Sequence, residues 1–273
     1  MNVTRTMSWH EDRRVPRLPL VGTVLTLPGA VTAELLAEPF DVVWIDLEHG
    51  ALGRSEAQEM ILGAQAAGAL ALVRLGFCDA EGLVGPMLDA GADGIVAADV
   101  RVAAQAESLA ALMRYPPKGR RGYGPRRAAL RGRTRPSETA DPPYLWIQLE
   151  SQEGVGAAEE IARTRGLDAL VVGIADLCID LGIEIGLSDS RLHDALRSVS
   201  HAAEIARVRF GLAGPLQPAE QLGDLLDAAT VLVHSTDARL CATSVDSVAR
   251  ALRELAHNAI TGSTRTKGVT TGD

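Results

Sequence analysis

Several residue types on which whole classes of protein depend are rare in this sequence. Aromatic side chains make up 3 % of its 273 residues, too few for a surface on which the bases of a nucleic acid stack. No run of about 18 consecutive apolar residues is present, so no membrane span is predicted. The formal net charge of −8 provides no positive field to attract DNA or anionic lipid. We therefore expect neither a nucleic-acid partner nor a membrane partner.

Cysteine and lysine are also scarce, which argues against two kinds of chemistry. Cys78, Cys178 and Cys241 are far apart and odd in number, so they predict reduced thiols in a cytoplasmic protein and not a disulfide framework or a zinc site. Lys118 and Lys267 are the only lysines, and neither lies in a predicted strand. Imine-forming catalysis, which needs an activated lysine, is therefore disfavoured.

The two ends of the chain differ from its middle in composition. Residues 1–18 are charged and lack the apolar segment of a secretory signal, so we expect an N-terminal arm and a cytoplasmic location. Residues 258–273 are rich in threonine, glycine and serine, which predicts a disordered tail. The segment between them, residues 19–257, is predicted to form one folded domain.

Short apolar runs alternate with longer helical patterns in this central segment. Hydrophobic residues make up 47 % of the sequence, and most are aliphatic, which suits parallel strands buried on both faces. The runs predict eight strands, at residues 20–27, 41–47, 69–75, 94–98, 144–150, 168–173, 209–213 and 230–234. Helical patterns separate them, with Ser55 predicted as an N-cap and an irregular loop expected after the sixth strand.

Eight strands alternating with helices predict an α/β fold, and their number favours a closed (β/α)8 TIM barrel. An open, doubly wound sheet is the alternative. A sheet of that kind that binds a dinucleotide carries a glycine-rich fingerprint after its first strand, whereas the turn TLPGAVTAE contains one glycine. We therefore predict the barrel.

Polar residues follow most of the predicted strands at their carboxyl ends, where barrel enzymes carry their catalytic groups. These residues are Asp46, Glu48, His49, Arg74, Asp99, Gln148, Glu150, Asp176, His234 and Asp237. Because parallel strands present their carboxyl ends at one face, we expect these side chains to lie near one another.

Glu150 and Asp176 form a pair of carboxylates on neighbouring predicted strands. Mg²⁺ prefers oxygen ligands, and it often uses one or two carboxylates while keeping several waters. The pair therefore predicts a divalent-metal site. The alternative is structural, because carboxylates at such positions also serve as ion-pair partners, here of Arg74.

His49 and Arg74 are the other two residues that suggest catalysis. His49 directly follows a buried strand in IDLEHG; it is either a hydrogen-bonded histidine at the rim or a general base, since imidazole titrates near neutrality. Arg74 ends the apolar run ALVRL and must pair with an anion. That anion is either a protein carboxylate or an oxygen of the substrate.

A basic insertion separates the fourth helix from the fifth strand. It contains no acidic residue between its first and last cations, which are Lys118, Arg120, Arg121, Arg126, Arg127, Arg131, Arg133 and Arg135. A solvated loop is one interpretation, and an RNA-binding segment is disfavoured by the negative overall charge. Long loops in compact domains are often functional, so the sharper hypothesis is a lid that brings positive charge to an anionic substrate.

Dispersed segments of the chain, taken in order, resemble the HpcH/HpaI aldolases, which are metal-dependent class II pyruvate aldolases. The segments are FDVVWIDLEHG (40–50), LVRL (72–75), LDAGADGIV (88–96), RYPPKGRRG (114–122), IQLES (147–151) and GIADLCIDLG (173–182), with STDARL (235–240) as a looser match. The resemblance covers residues 21–256. It implies a TIM barrel of the phosphoenolpyruvate/pyruvate-binding type.

The resemblance implies a role for each matching residue of the central site. Glu150 and Asp176 would ligate a divalent cation such as Mg²⁺, Mn²⁺ or Co²⁺, and Gln148 would line the site beside the ion. Arg74 would bind the keto oxygen of the substrate and stabilise the enolate, and His49 would act as the acid/base.

Four further residues receive supporting roles from the resemblance. Asp46 and Asp89 would orient His49, and the backbone at Gly173 and Ala175 would receive the substrate carboxylate. The sequence departs from the family at VAAD (96–99), where a proline is usual, and at His234 and its neighbour, where a small pair is common. These departures imply an acceptor that differs from the common substrates.

Together these residues predict an enzyme, a carbon–carbon lyase that forms or cleaves a bond through a pyruvate-type enolate of a 2-oxo acid, with an aldehyde or related acceptor. One alternative is decarboxylation of an oxaloacetate-type substrate at the same site. Another is a non-catalytic barrel that binds a 2-oxo acid or a partner protein. The resemblance further implies a homo-oligomer, either a hexamer or a trimer of dimers.

Overall fold

The computed structural model of the protein describes residues 19–130 and 142–265. The predicted arm at residues 1–18 lies outside these residues, as do Arg131, Arg133 and Arg135 of the basic insertion.

Eight parallel strands close into a barrel in sequence order. The strands are β1 (Leu20–Leu25), β2 (Val42–Asp46), β3 (Leu70–Gly76), β4 (Gly94–Ala98), β5 (Tyr144–Leu149), β6 (Ala169–Gly173), β7 (Arg209–Gly214) and β8 (Val231–Thr236). The first and last strands pair through Leu20 and Val231, so the sheet has no open edge. The predicted (β/α)8 barrel is confirmed, and the alternative of an open sheet is wrong.

Alternation along the strands determines which side chains enter the barrel. Trp44 and Trp146 lie in the apolar cluster that fills its interior, where their rings meet edge to face with centroids 6.3 Å apart. Side chains two positions further along a strand point to the same face. Asp46 and Gln148 therefore lie in the next layer toward the carboxyl ends, above an interior that the two indoles fill.

A layer of helices covers the outside of the barrel. They are α1 (Ala30–Ala37), α2 (Arg54–Ala66), α3 (Ala80–Asp89), α4 (Ala103–Leu112), α5 (Arg127–Leu130), α6 (Gln152–Gly156), α7 (Ala158–Ala162), α8 (Ile174–Asp180), α9 (Ser190–Ala206), α10 (Asp224–Ala228) and α11 (Asp237–Arg265). The second aliphatic cluster packs between these helices and the outer faces of the strands. Ser55 is not the N-cap of α2 as predicted; Gly53 holds that position, and the Glu56 side chain accepts its N–H at 3.1 Å.

Two helices differ from the expected pattern. Helix α8 follows β6 without a gap, where an irregular loop was predicted. Helix α11 continues to Arg265, so helical backbone extends into the predicted disordered tail at 258–273. The segment from Asp237 to Arg265 contains no proline and one glycine, and no residue within it therefore forces the helix to stop.

The basic insertion does not cover the catalytic face as the lid hypothesis requires. It joins the end of α4 to the start of β5, and helix-to-strand connections lie at the amino end of a parallel barrel, opposite the catalytic face. Arg120 pairs with Glu81 at 2.6 Å, and Arg121 pairs with Asp89 at 2.6 Å, both on α3. For its described part, residues 118–130, the lid hypothesis is wrong.

Two simpler expectations concern cysteine and the membrane. All three cysteines are free thiols. Within residues 19–130 and 142–265, no helix combines the length and the apolarity needed to cross a bilayer.

Candidate active site

Arg74 is at the centre of the polar groups on the carboxyl face. It lies beside Asp46 in the register of β3 against β2, and both side chains point into the barrel. Arg74 donates from Nε to Asp46 Oδ1 at 3.0 Å and from Nη2 to Asp46 Oδ2 at 2.7 Å. Such a two-point contact fixes the plane of the guanidinium. The anion that Arg74 was predicted to require is thus a protein carboxylate.

Glu48 is a second carboxylate against the same guanidinium. Its Oε2 lies 3.3 Å from Arg74 Nε. Burial raises the pKa of Glu48 above its ordinary value; the charges of Arg74 and His49 lower it, and those of Asp46 and Asp176 raise it. Glu48 was noted among the strand-end polar residues but received no role, because nothing in IDLEHG shows that its side chain turns back onto Arg74.

His49 lies on the loop after β2, at the edge of this group. Its side chain is 69 % exposed, and its Nε2 is 3.8 Å from Glu48 Oε2. The backbone N–H groups of Glu48 and His49 donate to Asp46 Oδ1 at 3.1 and 3.4 Å. Asp46 therefore holds Arg74 and the backbone of this loop, and the prediction that it orients the imidazole ring is wrong for this chain.

Glu150 lies above the end of β5 with both carboxylate oxygens hydrogen-bonded. Its Oε1 accepts the backbone N–H of Asp99 at 2.9 Å, and its Oε2 accepts the side-chain amide of Gln148. Burial raises the pKa of Glu150 to about 7, with further increases from the charges of Glu48 and Asp176, against lowering by Gln148 and Arg74. The apo site thus carries more negative charge than its own cation compensates.

Gly173 makes room for this arrangement at the end of β6. A Cβ at this position would lie 2.6 Å from Gln148 Nε2 and 2.9 Å from Glu150 Oε2. Any side chain would displace the two groups, so the glycine is required by close approach. Ala175 follows in the first turn of α8, half-buried beside the site.

Asp176 occupies the first turn of α8 and is exposed. Its charge raises the pKa values of both Glu150 and Glu48, which requires that it lie within electrostatic reach of them. Asp176 therefore lies on the same face of the barrel as Glu150, within electrostatic reach of it.

The described part of the chain holds no large cluster of metal-binding side chains. Among residues 19–130 and 142–265, no group of three or more His, Cys, Asp or Glu side chains is arranged to hold a metal. An ion bound here would keep positions for water and for substrate oxygens, as Mg²⁺ commonly does. The clustered negative charge and the hard oxygen donors fit such a cation.

Asp89 is not part of this group. It ends α3, and because barrel helices run antiparallel to the strands, it lies at the amino end of the barrel. There it pairs with Arg121 and helps to line a cleft of about 480 Å³ together with Tyr123 and Gly124. The prediction that Asp89 orients His49 is wrong within one chain, because Asp89 ends a helix at the amino end of the barrel while His49 follows a strand at the carboxyl end.

His234 lies at one of the positions where the sequence departs from the family pattern. His234 Nδ1 accepts the backbone N–H of Leu216 at 3.2 Å and lies 3.1 Å from the carbonyl oxygen of Gly214. The next residue, Ser235, has a positive φ of 62°. The imidazole thus ties the end of β8 to the loop after β7, which gives His234 a structural contact at this departure from the family pattern.

Comparisons with known proteins agree with this geometry. The family model described as HpcH/HpaI aldolase/citrate lyase matches residues 28–237. A hydroxypyruvate/pyruvate aldolase from Rhizorhabdus wittichii is 33 % identical over 208 residues, which are 76 % of this chain and 80 % of that protein. An HpcH/HpaI aldolase/citrate lyase family protein from Burkholderia cenocepacia has a similar structure, with a TM-score of 0.79 at 28 % identity, covering 88 % of this chain and 97 % of that one.

A more distant structure shares the fold alone. The citrate lyase beta subunit from M. tuberculosis, complexed with oxaloacetate and magnesium, has a TM-score of 0.50 at 18 % identity and covers 80 % of this chain and 92 % of that one. The family match spans most of the chain, and the resemblance stated from the sequence is confirmed. The protein belongs to the HpcH/HpaI aldolase/citrate lyase family.

Proposed function

We propose that the protein is a divalent-metal-dependent aldolase that forms or cleaves a C–C bond through the enolate of a pyruvate-type 2-oxo acid. The observation that carries the proposal is the charge of the site. Glu150, with its pKa raised to about 7, lies near Glu48 and Asp176, and one guanidinium does not compensate the three carboxylates. A divalent cation and an anionic substrate held by it would restore the balance.

Glu150 and Asp176 would hold the cation, with Mg²⁺, Mn²⁺ and Co²⁺ as candidates. When bound, such an ion supplies Lewis-acid stabilisation to the oxygens of a 2-oxo acid. Gln148 keeps Glu150 in place through its amide. The backbone at Gly173 and Ala175, where β6 passes into α8, would receive the substrate carboxylate.

Arg74 would stabilise the negative charge that develops on the keto oxygen. Its Nε and Nη2 are engaged by Asp46 and Glu48, and its Nη1 makes no hydrogen bond to the part of the chain that the structure describes. A guanidinium fixed on one edge presents the other edge to the substrate without reorganising, which is how a preorganised donor lowers a barrier.

His49 would move the proton of the aldol hydroxyl. The imidazole is exposed at the rim of the site, where an incoming acceptor reaches it, and its loop is held by Asp46. Taking the hydroxyl proton allows the C–C bond to break and leaves the electron pair on the enolate. In the reverse direction, the enolate attacks the aldehyde and His49 returns the proton.

Exchange of the pyruvate methyl protons in D₂O tests the proposal, because it requires the enolate but no acceptor. We expect exchange with Mn²⁺ or Mg²⁺, none in excess EDTA, and recovery when the ion is added back. Full exchange in EDTA would contradict the metal requirement. Release of CO₂ from oxaloacetate without aldehyde-dependent bond formation would instead indicate the decarboxylase.

We also propose that the protein is a homo-oligomer, with a hexamer or a trimer of dimers as the expected state, working in the cytoplasm. Helix α11 carries an apolar stripe of Val245, Val248, Leu252 and Leu255, each at least 59 % exposed. Their spacing places them on one face of the helix, and apolar faces of this size in folded proteins commonly mark interfaces.

Light scattering after gel filtration measures the oligomeric state directly. The wild-type protein should elute as a multiple of the 28.8 kDa chain. Leu252→Asp with Leu255→Asp should shift it toward smaller species, whereas a matched change on the polar face, Arg250→Asp, should not. A monomeric wild-type protein would contradict the proposal.

A further inference from the structure

We propose that Asp99 is a positioning residue for the metal ligand Glu150, and that it acts through its backbone N–H, which the left-handed turn after β4 holds against the carboxylate. The inference rests on the proposed function, since it concerns how a ligand of that site is held. It goes beyond that function by assigning a role to a residue outside the ligand set.

The contact comes from a turn with an unusual backbone. Asp99 follows the last residue of β4 and has a φ of +52°, a conformation that residues other than glycine, asparagine and aspartate seldom adopt. Its N–H donates to Glu150 Oε1 at 2.9 Å. The positive φ sets the path of the chain after Asp99, so a residue that disfavours it would shift the turn and the peptide plane that carries this N–H.

The start of α4 holds the chain on the other side of this turn. Gln105, in the first turn of α4, accepts the backbone N–H groups of Arg101 and Val102 at 2.7 and 3.2 Å. The Asp99 side chain adds only an exposed contact, in which its Oδ1 accepts Arg101 Nε at 2.7 Å, and exposed pairs of this kind contribute little. The backbone of the turn, and not the carboxylate, therefore holds the Asp99 N–H against Glu150.

The turn after β4 also packs against α6, the helix that follows Glu150 in the chain. A Cβ at Gly154, in α6 after β5, would lie 2.7 Å from the carbonyl oxygen of Val100. The chain after β5 thus packs directly on the backbone between Asp99 and Arg101. Both contacts limit how far the turn after β4 can relax.

The consequence is that Glu150 is held at both ends of its carboxylate. One oxygen takes the Asp99 N–H and the other takes the Gln148 amide. Each carboxylate oxygen has two acceptor positions, so one on each remains for a cation. Removing a group that hydrogen-bonds to a metal ligand commonly weakens the metal affinity by about 10- to 100-fold.

Mn²⁺ binding to the substrate-free protein, measured by electron paramagnetic resonance of the free ion, separates the backbone from the side chain. Asp99→Gly keeps access to positive φ and keeps the N–H, so we expect an affinity within about twofold of wild type, allowing for the tolerance of such measurements. Asp99→Val disfavours positive φ and should weaken binding by about 10-fold or more. The pyruvate KM of the Mn²⁺-saturated enzymes should change less than the Mn²⁺ affinity.

Arg207 provides a matched control, since it also has a positive φ, 56°, but lies at the end of α9. Arg207→Val should lower thermal stability without changing Mn²⁺ affinity. If Asp99→Val does not fold, Asp99→Ala takes its place, because alanine meets a smaller penalty at positive φ. Asp99→Ala should lose less Mn²⁺ affinity than is expected for Asp99→Val.

Three outcomes would overturn the inference while leaving the proposed function intact. Equal affinity in wild type and Asp99→Val would show that the N–H is not needed. Equal loss in Asp99→Gly and Asp99→Val would assign the effect to the carboxylate. Loss of affinity in Arg207→Val would make it a general effect of stability. A wild-type protein that binds no Mn²⁺ would instead contradict the proposed function itself.

Discussion

The two ends of the barrel both hold a buried arginine against a carboxylate, but they differ in charge balance. At the carboxyl end, Arg74 contacts Asp46 and Glu48, and the charges of Glu48 and Asp176 add to the rise in the pKa of Glu150. At the amino end, Arg121 pairs with Asp89, one cation against one acid.

The difference indicates which end performs chemistry. The Arg121–Asp89 pair is balanced in charge, and its main effect is to hold the segment after α4 against α3. An excess of negative charge around partly buried carboxylates is costly unless a cation compensates it, so it is typical of a site where a cation binds. The charge excess, and not the presence of a buried arginine, therefore distinguishes the catalytic end.

The largest effect on activity is expected from replacing Arg74, at the carboxyl end of the barrel. Arg74→Lys retains a positive charge but cannot hold Asp46 at two points while presenting a further donor to the substrate. Methyl-proton exchange of pyruvate should fall by about 100- to 1,000-fold, with an unchanged circular dichroism spectrum. Exchange within about threefold of wild type would show that the guanidinium is not needed for the enolate.

Replacing Arg121, at the amino end of the barrel, should instead lower the stability of the fold. Arg121 is 6 % exposed in its pair with Asp89, and its guanidinium lies 4.9 Å over the ring of Tyr115. Arg121→Met leaves Asp89 buried without its cation and should lower the free energy of unfolding by about 3 kcal/mol. Arg197→Met, which breaks an exposed pair with Asp194, is the control, with a loss below about 0.5 kcal/mol.

Removing one negative charge from the catalytic end should stabilise the apo protein. The pKa of Glu150 is about 7 in the folded protein, above its ordinary value of 4.5, so ionising it opposes folding. That penalty is absent at low pH, grows as the pH rises from 4.5 toward 7, and is complete above 7. Glu150→Gln should therefore gain up to about 3 kcal/mol at pH 8 in EDTA and little at pH 4. Chemical denaturation at both values measures this, and a destabilised variant at pH 8 would contradict the charge argument.

The smallest effect is the pH dependence of metal binding. A carboxylate must be ionised to ligate a cation, and with a pKa of about 7 Glu150 is mostly protonated at pH 6. The affinity for Mn²⁺ should be about tenfold weaker at pH 6 than at pH 8. A pH-independent affinity would show that the carboxylates do not compete with the ion for protons.

The sequence predicted the barrel closely because aliphatic runs of strand length are hard to mistake when they repeat between helical patterns. The predicted strand at 94–98 coincides with β4, and most of the others differ by one or two residues. The position of Asp46, Arg74 and Gln148 at the carboxyl ends of predicted strands also grouped them at one face of the barrel. Their roles were implied by the family resemblance.

The misassigned features depend on information that local pattern does not contain. Asp89 and the basic insertion were assigned to the wrong end of the barrel, although the direction of each connection already determines that end. The turn of Glu48 onto Arg74 and the left-handed backbone of Asp99 depend on neighbours distant in sequence. Helix α8 follows β6 so closely that no loop residue marks its start.

A crystal structure with Mn²⁺ and pyruvate tests the central claim most directly, because the anomalous signal locates the ion independently of the protein. We expect one ion bound by carboxylate oxygens of both Glu150 and Asp176, with an oxygen of pyruvate within hydrogen-bond distance of Arg74 Nη1. An ion at the amino end beside Asp89, or pyruvate bound away from Arg74, would contradict it.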